Sequence, residues 1–91
     1  MNIEVKNFWP CRVCGFDMGA DVWGGDENKS FTYDICDCCG AEAGTDDFNL
    51  DVVRRYRKNW IENGCKWFIP DLKPETWDLE KQLSLIPPHW I

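Results

Sequence analysis

Apolar positions change their period twice along the chain. In residues 1–9, Ile3 and Val5 face one side and Glu4 and Lys6 the other, which predicts a short strand. Phe31-Thr32-Tyr33-Asp34-Ile35 alternates more cleanly and predicts a second strand. From residue 48 the period becomes helical. Val52, Val53, Tyr56 and Trp60 form the buried stripe of a helix from about Leu50 to Asn63. Asn49 is its expected N-cap, Asp51 complements the dipole in the first turn, and Gly64 is the expected C′ stop. Phe48 is placed to staple onto Val53. Cys65 to Ile69 returns to extended chain, ended by Pro70, and Asp71 to Pro74 makes a turn. Pro74 opens a second helix, about Glu75 to Leu85, carrying Trp77, Leu79 and Leu83 and stopped by Pro87-Pro88. His89-Trp90-Ile91 is a short tail that frays unless it docks.

Each predicted strand runs into the same device. Cys11-Arg12-Val13-Cys14-Gly15 and Cys36-Asp37-Cys38-Cys39-Gly40 both end in Cys-Gly, with residues 16–30 as a glycine-containing loop between them. In such a knuckle the two sulfurs point to one side, and the glycine accepts a positive φ. Two facing knuckles supply the four thiolates of a closed, tetrahedral, structural zinc site, with no position left for water. The expected ligands are Cys11, Cys14, Cys36 and Cys39, with Cys38 inside its turn and pointing away. A chain of 91 residues buries only about 60–65% of its unfolded surface, so a staple of this kind is expected. The predicted fold class is α+β: a small zinc-ribbon-like antiparallel sheet with two C-terminal helices packed on it. A single domain is expected over 1–91, with a zinc-ribbon-like part at 1–47, a helical part at 48–86 and a tail at 87–91.

Six cysteines also admit a disulfide framework. The start, Met1 to Lys6, has no basic and then apolar leader pattern, and no apolar run approaches a membrane span. A cytoplasmic, reducing setting is therefore expected, where cysteines bind metal more often than each other.

The other reactive side chains are expected to be inert. Cys38 is a thiol beside the metal, with a redox sensor as the alternative role. Cys65, among apolar residues, is a core cysteine by default. His89 is the single histidine, so a zinc hydrolase of the two- or three-histidine kind is excluded. Glu42, Asp46 and Asp47 lack the alternation of a calcium loop and are expected to be solvated. Of six tryptophans, Trp60, Trp67 and Trp77 are assigned to the core. Trp23 is expected to cover the zinc site, and Trp23 or Trp90 to stay partly exposed.

Charge divides the chain. Residues 1–51 hold eleven acidic and three basic side chains, and residues 52–91 hold seven basic and five acidic. An acidic cysteine-rich half repels phosphate, so nucleic acid is an unlikely partner. Arg54, Arg55, Arg57 and Lys58 lie on the arc opposite the buried stripe, expected as a solvated face, and carry the alternative of a nucleic-acid-binding or transcription-associated zinc ribbon.

The two cysteine knuckles, Glu42, Gly44, Asp46 and Asp47, then Tyr56-Arg57-x-x-Trp60-Ile61-x-x-Gly64-x-x-Trp67, Pro74-x-x-Trp77-Asp78 and Gln82-Leu83 resemble a family of small bacterial proteins. That family is named for a Cys-Pro-Cys-Cys stretch. The resemblance spans roughly residues 11–83. Asp37 stands where that stretch has proline, and Arg12-Val13 departs from it in the first knuckle. The resemblance implies metal ligands at Cys11, Cys14, Cys36 and Cys39 and no catalytic residues. The family is mostly uncharacterised, with some members taken to be immunity proteins encoded beside bacterial toxins. The expectation is thus a non-enzymatic, zinc-stabilised protein-binding module, an immunity protein whose acidic face meets a basic toxin.

Overall fold

The computed structural model describes residues 8–24 and 31–91, so most of the alternation expected over residues 1–9 lies outside the described residues. Two cysteine knuckles come first. Helix α1 (Leu50–Glu62), a 3-10 turn (Pro70–Leu72), helix α2 (Leu79–Leu83) and a second 3-10 turn (Pro88–Trp90) follow.

Each knuckle closes on itself in the same way. In the first, the Gly15 amide donates to the Cys11 carbonyl at 2.9 Å and the Cys11 amide to Phe16 at 2.7 Å. In the second, Gly40 donates to Cys36 at 2.9 Å and Cys36 to Ala41 at 2.9 Å. The glycines lie at φ 87° and 80°, the left-handed region the pattern requires.

The expected antiparallel sheet does not form. The described residues contain no strand, and only two isolated antiparallel bridges, Pro10 with Asp17 and Ile35 with Glu42. The α+β, zinc-ribbon-like sheet is therefore incorrect for this chain. Its physical cause lies within Phe31–Ile35. Thr32 Oγ1 donates to Asp34 Oδ2 at 3.0 Å and accepts from the Asp34 amide at 3.3 Å. This local turn places Tyr33 at φ 63°. Short polar side chains that bond the nearby backbone compete with a ladder, and here they win.

Helix α1 matches its sequence signals closely. Asn49 Oδ1 accepts from the Val52 amide at 2.9 Å. At the other end, Gly64 donates to Ile61 at 3.1 Å and Cys65 to Trp60 at 2.9 Å, which is a Schellman closure. Val53 and Trp60 are buried and Tyr56 is half-buried. Phe48 is not sequestered as a staple; it stays 56% exposed, with its ring 6.3 Å from that of Phe31. Helix α2 is much shorter than expected. Asp78 caps it by accepting from the Lys81 amide at 3.2 Å, so Pro74 to Trp77 forms a separate turn rather than its first turn.

The main core joins both halves of the chain: Cys11, Val13, Cys14, Cys36, Cys38 and Cys39 pack with Val53, Trp60 and Trp67. A chain of edge-on rings continues it. Phe16 meets Trp67 at 5.5 Å, Trp67 meets Trp77 at 5.5 Å, and Trp77 meets Trp60 at 6.3 Å. Trp23 is buried in a separate small cluster with Val22 and Ala43, while Trp77 and Trp90 are half-buried.

A Cβ on Gly15 would fall on the Gln82 carbonyl oxygen, whereas one on Gly19, at the similar φ of 81°, would meet nothing within 4 Å. Gly19→Ala should cost about 1 kcal/mol of backbone strain, and Gly15→Ala at least about 3 kcal/mol, since α2 must also move. Urea denaturation of both variants measures this; equal costs would contradict the docking of α2 on the first knuckle.

Candidate metal centre

The knuckles bring Cys11, Cys14, Cys36 and Cys39 together, all buried, with every pair of sulfurs within 4.8 Å. Cys11 and Cys39 Sγ are 3.8 Å apart, and Cys14 and Cys36 Sγ 3.7 Å. Metal–sulfur bonds of about 2.3 Å in a tetrahedron give sulfur–sulfur edges of about 3.8 Å. A disulfide needs about 2.05 Å, and all six cysteines are free. The four side chains therefore have the spacing, the softness and the closed arrangement to hold one metal ion.

As thiols, Cys14, Cys36 and Cys39 are shifted from the ordinary range by their hydrogen bonds and by burial. Hydrogen bonding with Cys11 is the largest influence in each case: it pushes Cys14 and Cys39 well up and holds Cys36 well down. One thiolate is tolerated among its neighbours, and further negative charge is opposed by the sulfurs around it and by burial. A cation at the centre reverses that opposition.

Side chains from both helices fix the two knuckles relative to each other. On α1, the Tyr56 hydroxyl donates to the Cys39 carbonyl at 2.9 Å, reaching the second knuckle. Burial, with Cys39 charge adding, pushes that hydroxyl up to about 12, so it remains a neutral donor at neutral pH. The next residue reaches the first knuckle. Arg57 donates to the carbonyls of Val13 at 2.7 Å and Arg12 at 2.8 Å, and also to Trp90 at 2.7 Å. From α2, Gln82 Nε2 reaches both knuckles, at the Cys14 carbonyl (3.2 Å) and Cys38 Sγ (3.3 Å). Its Oε1 accepts from Trp77 Nε1 at 2.7 Å, which fixes the amide's orientation.

Arg57 was expected on a solvated arc, and it is instead half-buried with its donors on carbonyls. The signal that could have placed it is adjacency. Tyr56 lies on the apolar stripe, so its neighbour sits at the stripe's border and not opposite it. Gln82 carries no comparable signal, because a glutamine in a short helix is ordinarily a surface residue.

The other candidate residues sit outside the four-sulfur set. Cys38 is buried outside the four-sulfur set, held by Gln82. Cys65 is half-buried at φ 54°, in the helix closure rather than deep in the core. His89 is exposed, its ring edge-on to Trp90 at 5.3 Å. Asp47 is 2% exposed, contrary to the expected solvation. Its carboxylate accepts from Trp23 Nε1 and from the Gly44 amide, each at 2.7 Å. Asp46 accepts from the Glu42 amide at 2.9 Å. Arg12, 5% exposed, lies between the rings of Trp23 (5.0 Å) and Trp90 (4.2 Å), and its Nη1 donates to the Asp47 carbonyl at 3.2 Å. The tail is thus docked by Arg12 and Arg57 together.

Titration with cobalt(II) distinguishes the ligands. Wild type and Cys38→Ser should each bind one ion with the absorption of four thiolates, and Cys39→Ser should show three. Gln82→Ala should weaken binding by about 10–100-fold, as loss of a partner that orients ligands does. A four-thiolate spectrum from Cys39→Ser would remove Cys39 from the set.

The chain is 33% identical over 86 residues to the uncharacterized protein YozI of Bacillus subtilis (strain 168), covering 78% of this chain and 71% of that protein. It is 30% identical over 87 residues to the uncharacterized protein YoaQ of the same organism, covering 78% and 72%. No family model and no solved structure matches it. At this identity and coverage the chain belongs to the family that includes YozI and YoaQ.

Proposed function

We propose that this chain is a zinc-stabilised, non-enzymatic protein-binding module of the Cys-Pro-Cys-Cys type, and that it serves in the cytoplasm as an immunity protein against a basic toxin. The observation that carries the metal is the buried set of four sulfurs, all within 4.8 Å of one another, with two of their separations at the edge length of a zinc–thiolate tetrahedron. With all four positions filled by protein, the zinc holds the two knuckles and offers no site for substrate. Its binding supplies folding free energy, of the order of 10–16 kcal/mol in small zinc domains.

The acidic side chains support a basic partner. Residues 31–53 contain six carboxylates and no lysine, arginine or histidine. Five of them, all but the enclosed Asp47, are at least partly exposed, and such a surface steers a cationic protein into fast encounter. The nucleic-acid alternative loses its strongest group, because Arg57 is committed to three carbonyls. Arg54 Nε donates to the main-chain oxygen of Ile91 at 3.0 Å, and Lys58 lies 3.9 Å from Glu62. No helix among the described residues is long and apolar enough to cross a membrane.

Two measurements test the proposal. Native mass spectrometry should find one zinc per chain, and removing it with a strong chelator should abolish the folded circular-dichroism signal. A metal-free, folded chain would refute the structural zinc. Co-expression with the toxic product of a gene beside its own should restore growth, and failure to protect against any such neighbour would refute the immunity role.

A further inference from the structure

We propose that the arm Phe31–Ile35, together with Phe48 just before α1, is the docking surface for an arginine- or lysine-rich segment of the partner. This rests on the protein-binding proposal above and names its site. The three rings adjoin: Phe31 lies 6.3 Å from both Tyr33 and Phe48. Phe31 is half-buried and anchors the group, while Tyr33 is 57% and Phe48 56% exposed. Two large aromatic side chains thus stand in water beside a third that fixes their base.

The backbone beneath them is held. The Ala43 amide donates to the Asp34 carbonyl at 2.9 Å, the Thr32 amide to the Val22 carbonyl at 2.9 Å, and Ile35 bridges to Glu42. Tyr33 itself lies in the left-handed region at φ 63°, a conformation that costs a bulky side chain and suits glycine or asparagine. Core packing does not require an aromatic ring there, since the ring is exposed. An uneconomical residue at a rigid, exposed position marks a contact.

Charge selects the partner. Asp34 and Asp51 are exposed, Glu42 and Asp46 are half-exposed, and none of the four forms an ion pair among the described residues. Ring faces attract a guanidinium or ammonium, and nearby carboxylates add charge-assisted hydrogen bonds. Nucleic acid is repelled by the same carboxylates. A second copy would bring acidic arm against acidic arm.

The test uses the full, isotope-labelled chain at low ionic strength. The probe is a short peptide alternating arginine and alanine, with a second peptide carrying glutamine for each arginine. The arginine peptide should shift the amides of residues 31–35 and 42–48, and the glutamine peptide should not. Tyr33→Gly combined with Phe48→Ala should weaken binding about tenfold. Tyr33→Gly alone should raise the melting temperature while weakening binding, an opposition that a merely structural tyrosine would not show. Shifts elsewhere on the chain would overturn this surface while leaving a basic partner in place. Equal binding of the glutamine peptide at the arm would overturn the basic chemistry of the partner. No shift with either peptide would overturn both.

Discussion

Four cysteine sulfurs within 4.8 Å of one another form a centre that is hard to charge without a cation. All four are buried, and hydrogen bonding within the set together with burial holds the Cys14 and Cys39 thiols well above the usual range. The remaining elements are too small to compensate. The knuckles close with one bridge apiece and α2 is five residues long, well below the length at which a helix persists alone. Helix α1 has 13 residues and good caps, yet even this is marginal in isolation. Holding the sulfurs together converts weak local pieces into a core, because Val53, Trp60 and Trp67 pack directly on the cysteines.

The knuckles create a second constraint. With no sheet among the described residues, several main-chain carbonyls near the centre have no ladder partner, and buried carbonyls must be satisfied somehow. Tyr56, Arg57 and Gln82 supply the donors, at Cys39, at Arg12 and Val13, and at Cys14. Charge-assisted bonds such as those of Arg57 contribute about 1.5–3 kcal/mol each, more than the neutral bonds they replace. Among the described residues, the absence of a sheet and the presence of these polar clamps are two consequences of one backbone path. The helices contribute hydrogen bonding to the cage in addition to apolar cover.

Much of this was legible in the sequence where the governing interaction is local. The doubled Cys-x-x-Cys-Gly, the Asn49 cap and the Gly64 stop each depend on residues a few positions apart, and each was found. The sheet failed because alternation reports only that Phe31, Tyr33 and Ile35 differ from Thr32 and Asp34. It does not report that the Thr32 hydroxyl and the Asp34 carboxylate will bond each other and turn the chain. Arg57, Gln82 and Asp47 were missed for a different reason. Their partners lie 44, 68 and 24 residues away, and polar residue types carry no sign of whether they will be buried.

That burial changes what the surface offers. The formal net charge is −6, but Arg12 is enclosed between two indoles and Arg57 has its donors on three carbonyls. Two of the chain's cations thus serve the interior, whereas only Asp47 among the carboxylates of residues 31–53 is fully enclosed. The exposed charges are therefore more one-sided than composition suggests. The same arginines that dock the tail and the first knuckle have their donors turned to the interior, so the cage draws on the chain's cations. Any substitution that freed Arg57 would leave the carbonyls of Val13, Arg12 and Trp90 without this donor and loosen the centre.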